Sequence, residues 1–270
     1  MRILFVADVI GSPGRKVAKG LLRLVRDENS VDAVVLNGEN AAGGFGITPE
    51  AVAEFRELGV DVITTGNHVW DKREILPLLD KEPRLLRPAN FPPGNAGKGV
   101  AIVEAGKLRL GVINLQGRTF MPPIDDPFRA ADGLLLELAG NADVVVVDFH
   151  AEATSEKQAM GRYLDGRVGA VVGTHTHVQT ADERILPGGT AFITDLGLTG
   201  SLGGVIGMKT EFSLHRQLYQ TKGERMQPAD TDLHLQGVVV EIDGATGLAR
   251  SISRVSVPYA RSLENAFGKL

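Results

Sequence analysis

The chain has no cysteine, and only 5% of its 270 residues are aromatic. The absence of cysteine excludes disulfide scaffolds, thiolate zinc sites, iron–sulfur clusters and cysteine nucleophiles, so any metal ion must be held by nitrogen and oxygen ligands. No apolar run approaches the roughly 20 residues of a membrane-spanning helix. The apolar run at 3–7 stops at Asp8 and does not read as a signal peptide. We therefore expect a cytoplasmic protein without a membrane partner.

A strong excess of positive charge is also missing, because 29 basic residues face 33 acidic ones and the net charge is −4. Binding to a nucleic-acid backbone through bulk charge requires clustered positive residues, so we do not expect it. A hydrophobic fraction of 43% excludes wholesale disorder. Since no repeat, low-complexity tract or linker interrupts the chain, we predict one domain over residues 1–270.

Glycine is abundant, with 33 of 270 residues against a usual share of about 7%. The first third alternates short apolar runs with helix-start signals, which predicts a mostly parallel, buried sheet. Ser12-Pro13 and Thr48-Pro49 each place proline directly after an N-cap residue. The predicted strands are 3–7, 33–36 and 62–65, and the predicted helices begin at Ser12, Thr48 and Asp71.

The middle and the end of the chain carry two hairpin signals, at 99–114 and at 236–257. Between them, helices are predicted at 132–139 and 155–164, and strands at 144–149 and 170–172. Parallel units together with antiparallel hairpins predict an α/β fold, a four-layer sandwich in which two packed mixed sheets are flanked by helices. A TIM barrel is the alternative, but the two hairpins count against eight uniform βα units.

Polar side chains follow five of the predicted strands, within a few residues of their carboxyl ends. Ligands bind at that edge of an open α/β sheet. The set contains carboxylates, amides and four of the six histidines in the chain. Its members are Asp8, Glu39, Asn40, Asn67, His68, His150, His175 and His177.

These residue types indicate a metal site, because imidazole suits transition metals, and carboxylate and amide oxygens suit harder ions. Without His68 the set offers seven ligands. That number is too large for one tetrahedral site with an open position, but it suits two ions that share the carboxylate of Glu39. Each residue alone has a simpler explanation as a helix cap, a turn residue or a core histidine. Those explanations do not account for all seven together.

In this order the residues resemble the calcineurin-like metallophosphoesterase superfamily, whose pattern runs D-x-H, G-D, G-N-H, an isolated His and G-H-x-H. Gly66-Asn67-His68, His150 and the segment 173–177 match the last three elements. The first two elements differ, because Ile10 stands in place of the first histidine and Glu39 in place of the aspartate.

The same departures are similar to the bacterial YmdB-like branch of that superfamily. Its members read I-G-D-x-x-G-x-x-G-R at the start and N-G-E-N-A-A-G-G-x-G-I-T after the second strand. The chain has matching segments at 7–15 and 37–48. The resemblance extends over essentially the whole chain and implies the calcineurin-like metallophosphoesterase fold.

The resemblance implies two metal ions, with iron as the first choice and manganese accepted. Asn40 would replace the histidine missing at Ile10, and an amide oxygen in place of an imidazole nitrogen favours Fe or Mn over Zn. The implied ligands are Asp8, Glu39, Asn40 and His177 for one ion, and Glu39, Asn67, His150 and His175 for the other.

The implied activity is hydrolysis of phosphodiesters, especially of 2′,3′-cyclic nucleotides to 3′-phosphates. A hydroxide that bridges the ions would attack phosphorus in line. His68 is the expected proton donor to the leaving oxygen, and orientation of a metal ligand is its alternative role. The expected partner is a small phosphoester such as a cyclic nucleotide, and homo-oligomerisation stays open.

Weaker candidates surround this set. Backbone N–H groups of a glycine loop and two arginines are candidates for phosphate binding, although surface salt bridges are the simpler role for the arginines. Asp148 is a candidate for orienting a metal-bound histidine, and two further histidines are expected to be surface or packing residues. These candidates are Gly43, Gly44, Arg15 and Arg118 for the substrate, and His215 and His234 for the surface.

Other functions stay open at this point. A phosphomonoesterase or 5′-nucleotidase differs only in whether its pocket rejects the second ester group. A regulatory protein with weak secondary phosphodiesterase activity is less favoured, since all seven ligands and His68 are present. An amidohydrolase barrel also uses His-x-His, but there the motif closes the first strand, whereas here it lies at 175–177.

Overall fold

Two mixed sheets pack face to face in the computed structural model, which describes residues 1–221, 223 and 225–260. The strands are β1 (Arg2–Val6), β2 (Asp8–Val9), β3 (Ala33–Asn37), β4 (Val62–Thr64), β5 (Val100–Ala105), β6 (Leu108–Gln116), β7 (Val144–His150), β8 (Ala170–Thr174), β9 (Arg184–Ile185), β10 (Ala191–Ile193), β11 (Leu198–Ser201), β12 (Leu233–Ile242) and β13 (Ala249–Pro258). The α-helices are α1 (Gly11–Glu28), α2 (Pro49–Glu57), α3 (Leu76–Leu79), α4 (Pro127–Leu138), α5 (Thr154–Tyr163) and α6 (Thr210–Tyr219).

The first sheet has the strand order β2-β11-β12-β1-β3-β4, and β13 pairs with β12. Strands β1, β3 and β4 are parallel, and β12 is antiparallel to β1. The second sheet has the order β5-β6-β7-β8-β10-β9, and β6, β7, β8 and β10 are parallel. The β5–β6 and β12–β13 pairs are the two predicted hairpins. The predicted two-sheet α/β sandwich is therefore confirmed, and the barrel is not formed.

Apolar cores on both faces of each sheet create the four layers. Along β1, Ile3 and Phe5 pack between the sheets, whereas Leu4 and Val6 pack under the helices of the first sheet. On the second sheet, Val147 packs outward with α5 and its neighbours. Strands buried on both faces read as continuous apolar runs, which is why the sequence revealed them. Among the described residues, no helix combines the length and the apolar character needed to cross a membrane.

Three of the predicted helix starts are wrong. Helix α1 begins at Gly11, after Ile10, so Ser12 is not its N-cap; Gly11 turns the chain with a φ of 57° and donates its N–H to the Asn40 carbonyl. Helix α4 begins at Pro127, not at 132, because Asp126 accepts two N–H groups of its first turn. Residues 71–79 form only a 3-10 turn (Arg73–Ile75) followed by the single turn of α3, and Asp71 caps neither.

The prediction for α2 holds, because the Thr48 hydroxyl accepts the Ala51 N–H at 3.3 Å. Strands β2, β9, β10 and β11 and helix α6 were not predicted. Strand β11 reads Leu-Thr-Gly-Ser and carries little apolar signal. It forms because β2 lies parallel on one side of it and β12 antiparallel on the other.

Strand β11 determines where the chain first reaches the carboxyl edge of the first sheet. The chain leaves β1 at Ala7, whose N–H still bonds the Gln236 carbonyl of β12. One residue later it enters β2, with β11 now between it and β12. This sideways step places Asp8 at the carboxyl edge of the sheet, fully buried.

Candidate metal centre

The carboxyl ends of the strands bring the predicted polar residues to one edge between the two sheets. Asp8 lies in β2, His150 ends β7, and His175 and His177 follow β8 directly. Glu39 and Asn40 follow β3, and Asn67 and His68 follow β4. The structure thus gathers all seven candidate ligands, with His68 beside them.

One group of side chains converges on the Nε2 atom of His150. This atom lies 3.0 Å from His175 Nδ1, 3.1 Å from Asn67 Oδ1 and 3.1 Å from Glu39 Oε1. One ring nitrogen carries at most one proton, so it cannot satisfy three acceptors at once. Ligand atoms that share one ion at about 2.1 Å lie about 3.0–3.4 Å apart. The spacing of this group fits a metal ion at its centre.

A second group surrounds the Nε2 atom of His177. Asn40 Nδ2 lies 3.0 Å from it and Asp8 Oδ1 lies 3.6 Å from it. Within the described part of the chain, Asp8 Oδ1 has no hydrogen-bond partner, although the side chain is fully buried. A buried carboxylate oxygen without a donor is costly unless a cation satisfies it. This group therefore also fits an ion, once rotation of the Asn40 amide about χ2 exchanges its nitrogen for its oxygen.

Glu39 connects the two groups. Its Oε1 lies 3.1 Å from His150 Nε2 and 3.4 Å from Asn40 Nδ2, and its Oε2 accepts the His68 N–H at 3.4 Å. The side chain is fully buried, and the charge of His150 outweighs the effect of burial, so that the pKa of Glu39 is lowered. Glu39 therefore lies between the two groups of candidate ligands.

In each of the three histidines, the ring nitrogen that points away from the cluster, here called the rear nitrogen, meets a hydrogen-bond acceptor. His177 Nδ1 lies 3.0 Å from the Ile206 carbonyl, and His175 Nε2 lies 3.0 Å from Glu152 Oε2. His150 Nδ1 lies 2.9 Å from Thr174 Oγ1. An acceptor at the rear nitrogen holds a proton there and leaves the other nitrogen with a free lone pair. When the rings are neutral, all three lone pairs then face the cluster.

Asp148 determines the direction of the bond at His150. The Thr174 hydroxyl donates to Asp148 Oδ1 at 2.7 Å, so its oxygen is left to accept from His150 Nδ1. Asp148 Oδ2 accepts from Asn37 at 3.1 Å and from Thr64 at 2.5 Å. Burial raises the pKa of Asp148 to about 6. Asp148 thus acts on His150 through Thr174 and has no direct hydrogen bond to the ring.

Glycine at position 66 lets the loop after β4 approach the cluster. A Cβ atom there would lie 2.2 Å from Glu39 Oε2 and 2.2 Å from His150 Cδ2. The side chains of Glu39 and His150 have no room to move away, because both are fully buried. Any side chain at Gly66 would therefore displace the groups around His150.

The loop after β8 is held in an unusual backbone conformation. His175 and His177 have φ values of 98° and 62°, in the left-handed region that L-residues rarely adopt. Between them, the N–H and the hydroxyl of Thr176 bond Asp195 Oδ2 at 3.0 Å and 2.7 Å. Asp195 in turn pairs with Lys157 at 2.7 Å, and both side chains are buried.

His68 stands at the margin of the cluster, with its side chain 28% exposed. Its Nδ1 lies 2.9 Å from Asp71 Oδ2, and its ring meets the Phe45 ring edge-on at 5.1 Å between centroids. Asp71 fixes the proton on Nδ1, so Nε2 is available for proton transfer. The position suits a group that meets a substrate rather than an ion.

Neighbouring charges shift the pKa values of the clustered side chains. Burial raises the pKa of Asp8, but contact with His177 outweighs it and lowers the pKa to about 2. Burial lowers the pKa of His177, but Asp8 outweighs it and raises the pKa to about 9. Burial and the nearby His150 lower the pKa of His175 to about 3. An ion that binds at His177 would therefore displace a proton.

The weaker candidates have partners elsewhere. Arg15 donates to the Ala41 carbonyl at 2.6 Å and pairs with Glu54 at 2.9 Å, and Arg118 pairs with Asp126 at 3.0 Å. Gly43 and Gly44 have φ values of 70° and 93°; a Cβ at Gly44 would meet Met208 at 2.4 Å. His215 lies exposed on α6, and His234 bonds Asp232 at 3.0 Å.

Sequence reasoning missed the residues that hold the histidines, namely Glu152, Thr174, Asp195 and Lys157. Glu152 lies two residues after His150, and Thr174 directly precedes His175. Proximity to a ligand was their only sequence signal, and neither forms a pattern that distinguishes it from ordinary loop residues. Lys157 reads as a helix residue, and its contact with Asp195 depends on the tertiary fold.

Known proteins are similar to this chain over nearly its whole length. A family model described as YmdB-like protein matches residues 4–255. A Bacillus subtilis protein, 2′,3′-cyclic-nucleotide 2′-phosphodiesterase, is 50% identical over 95% of this chain and 97% of its own length. The crystal structure of a novel phosphatase from Mycoplasma pneumoniae covers 97% of this chain and 96% of its own at a TM-score of 0.89 and 33% identity. The calcineurin-like phosphoesterase YfkN of Bacillus subtilis, at 12% identity, covers 98% and 94% with a TM-score of 0.55 and shares the fold.

Proposed function

The chain belongs to the YmdB-like family of calcineurin-like phosphoesterases, and from this premise we propose that it is a metal-dependent phosphodiesterase acting on 2′,3′-cyclic nucleotides. It opens the 2′ bond and leaves a 3′-phosphate, the reaction named for the Bacillus subtilis relative. The observation that carries the proposal is the arrangement of His150, His175 and His177. Each ring has an acceptor at its rear nitrogen and directs the other nitrogen into a buried cluster.

The proposed ligands follow the two groups of contacts. Asp8, Asn40 and His177 hold one ion, and Asn67, His150 and His175 hold the other. Glu39 contributes to both. Glu39, His150 and His175 offer ligand atoms that all lie within 4.8 Å of one another, which supports the second site independently of any sequence pattern. When bound, the ions supply Lewis acidity, which activates water and neutralises charge on the phosphoryl oxygens.

Iron is the proposed native metal, with manganese as an accepted substitute. The donor set contains oxygens from two carboxylates and two amides beside three imidazoles and no sulfur. Such a mixed set suits Fe and Mn, whereas zinc is more often held by thiolate and imidazole. The cytoplasmic setting expected from the sequence stays a prediction.

His68 is the proposed proton donor. As the attacking oxygen bonds to phosphorus, the bond from phosphorus to O2′ breaks, and the electron pair of that bond stays on O2′. With both ring nitrogens protonated, His68 transfers the Nε2 proton to O2′, which leaves as a hydroxyl group, and the ring keeps the proton on Nδ1. Asp71 keeps the ring oriented through Nδ1, and general acid catalysis of this kind contributes about 10²–10⁴-fold.

A phosphomonoesterase activity is the second candidate function. The Mycoplasma pneumoniae neighbour, 33% identical over almost the whole chain, is called a phosphatase. Both activities use the same edge of the sandwich, since an ion cluster contacts phosphate and not the ester groups. They differ in which substrate is turned over faster.

The test is hydrolysis of 2′,3′-cyclic AMP by protein loaded with Mn or Fe, with the product isomer identified. We expect 3′-AMP, and we expect a slower reaction with 3′-AMP or 5′-AMP as substrate. Faster release of phosphate from the monoesters would reverse the order of the two candidates. Absence of turnover of any ester with two ions bound would overturn both.

Two variants test the roles. His177→Ala should lose metal and most activity, whereas His215→Ala, an exposed histidine outside the cluster, should behave as the wild type. His68→Ala should keep both ions and lose turnover mainly for cyclic nucleotides. An equal loss with p-nitrophenyl esters, whose leaving group hardly needs a proton, would argue against His68 as the acid.

A further inference from the structure

Gln116 is the last residue of β6, at the same sheet edge as the cluster. It lies opposite His150 in the parallel β6–β7 register, so both side chains leave the same face of the second sheet. Two residues earlier on that face, Asn114 donates to the Thr65 carbonyl at 2.7 Å, directly before Gly66 and Asn67. The Gln116 side chain lies two residues beyond Asn114 on the same face of β6, and it therefore projects toward the loop of Asn67 and the ring of His150.

The carboxamide of Gln116 is buried and unpaired. The residue is 1% exposed, and neither its Nε2 nor its Oε1 has a hydrogen-bond partner within the described part of the chain. Its backbone is fixed, because the N–H bonds Asn90 Oδ1 at 2.9 Å and the carbonyl accepts from Asn90 Nδ2 at 2.8 Å. The residue is thus anchored through its backbone, and both polar atoms of its side chain are buried without a partner from the described part of the protein.

Folded proteins rarely leave a buried polar group unpaired, and a ligand that completes the bonding is one explanation for such an exception. An amide –NH₂ group offers two donors, and a phosphoryl oxygen is only an acceptor. The cationic side chains nearby do not meet this need. Arg15 and Arg118 are paired with Glu54 and Asp126, and Lys157 is paired with Asp195.

We propose that Gln116 is a substrate-binding residue, whose Nε2 donates hydrogen bonds to a phosphoryl oxygen of the cyclic phosphodiester. This inference rests on the proposed function and names the protein group that orients the phosphate. A neutral donor suits the position, because it directs the phosphate without competing for the carboxylates that hold the ions. Binding of substrate satisfies the carboxamide, so the stability sacrificed in the free protein is regained in the complex.

Two variants separate this role from a structural one. Gln116→Met keeps the length of the side chain and removes both polar atoms, and Gln116→Glu keeps the shape and replaces the donor with a negative charge. For Gln116→Met we expect a loss in kcat/KM for 2′,3′-cyclic AMP on the order of 10- to 100-fold, the loss of a hydrogen bond to a charged group. Gln116→Glu should lose more, because it repels the phosphate.

The second readout is thermal stability. We expect the Tm of Gln116→Met to equal or exceed that of the wild type, because the change removes an unpaired buried amide. Gln236→Met is the matched control. That glutamine is 7% exposed, but its Oε1 accepts the Leu198 N–H at 3.1 Å and its Nε2 donates to Ser256. The same substitution there should lower the Tm.

Metal content and phosphate binding complete the test. Gln116→Met should retain two Mn ions by elemental analysis, and loss of an ion would make Gln116 a metal ligand and overturn the proposal. Unchanged kcat/KM, or a fall in Tm like that of Gln236→Met, would overturn it as well. If the wild type fails to hydrolyse 2′,3′-cyclic AMP, the proposed function fails. Weaker binding of inorganic phosphate to Mn-loaded Gln116→Met would still support the role of Gln116, and equal binding would refute it.

Discussion

Replacing Asp195 by asparagine should destabilise the protein and weaken metal binding together. Asp195 is fully buried and accepts four hydrogen bonds, from Lys157 Nζ at 2.7 Å, from the N–H and hydroxyl of Thr176 at 3.0 and 2.7 Å, and from the Gly197 N–H at 2.9 Å. Asparagine presents one acceptor where the carboxylate presents two and places an –NH₂ group among donors. It also leaves the buried Lys157 charge without a counterion.

The expected magnitude follows from this pairing. Breaking one partner of a buried ion pair costs about 3–5 kcal/mol. For a chain of this size each kcal/mol lowers the Tm by about 2–4 °C, so we expect a fall of about 6–20 °C. Release of Thr176 also frees the left-handed backbone at His175 and His177, and loss of such supporting contacts lowers metal affinity about 10- to 100-fold.

The assay is thermal unfolding of the EDTA-treated protein, followed by titration of the folded protein with Mn. The double variant Lys157→Met/Asp195→Leu separates the two effects. It removes both charges and should recover much of the Tm, because apolar replacement of a buried pair is often neutral. It should not recover Mn affinity, because Thr176 still lacks its acceptor. An Asp195→Asn variant with wild-type Tm and wild-type affinity would refute the reasoning.

Four further outcomes are expected. Gly66→Ala should fold but lose the second ion by elemental analysis, because the new Cβ would lie 2.2 Å from Glu39 Oε2. Thr174→Val should bind Mn about 10- to 100-fold more weakly by calorimetry, whereas Thr174→Ser, which keeps the hydroxyl, should not. Removal of Mn held at 100 times its Kd should lower the unfolding free energy by about 2.7 kcal/mol in a denaturant titration. Hydrogen bonds from Arg109 lower the pKa of Asp143 to about 2. In urea titrations the wild type should therefore be more stable than Asp143→Asn, with the full difference above about pH 4 and no difference below pH 2. A stability difference that persists below pH 2 would contradict this role of the Asp143 carboxylate.

Local sequence signals were enough for most strands of the two sheets and for the position of the candidate ligands at the sheet edge. A buried strand carries its own apolar run, and the residue that follows it lies at the sheet edge whatever the neighbours are. Asp8 and His150 could therefore be placed at one edge without any knowledge of the strand order. The same logic gave the hairpins, whose partners are adjacent in sequence.

Features that depend on tertiary contacts could not be predicted. Strand β11 has one large apolar residue in four, and only its neighbours β2 and β12 make it a strand. The start of α1 was misplaced because Pro13 follows a good capping residue, whereas the turn at Gly11 is set by the Asn40 carbonyl. Glu152 and Thr174 hold histidines, but nothing in an isolated glutamate or threonine indicates the ring nitrogen that it will meet.

The strand order of the first sheet also dictates when the metal centre can form during synthesis. Strand β1 lies between β3 and β12, and Phe5 pairs with Val238. At about 5–20 residues per second, roughly 10–50 s separate the translation of these two partners. During that interval β1 has an open edge, a site for pairing with other chains, and for most of it Asp8 has neither β11 nor His177 beside it. Loading of the proposed first site, which needs Asp8 and His177 together, must therefore follow the synthesis of His177, so the metals present late in synthesis or after it would decide which ion that site carries.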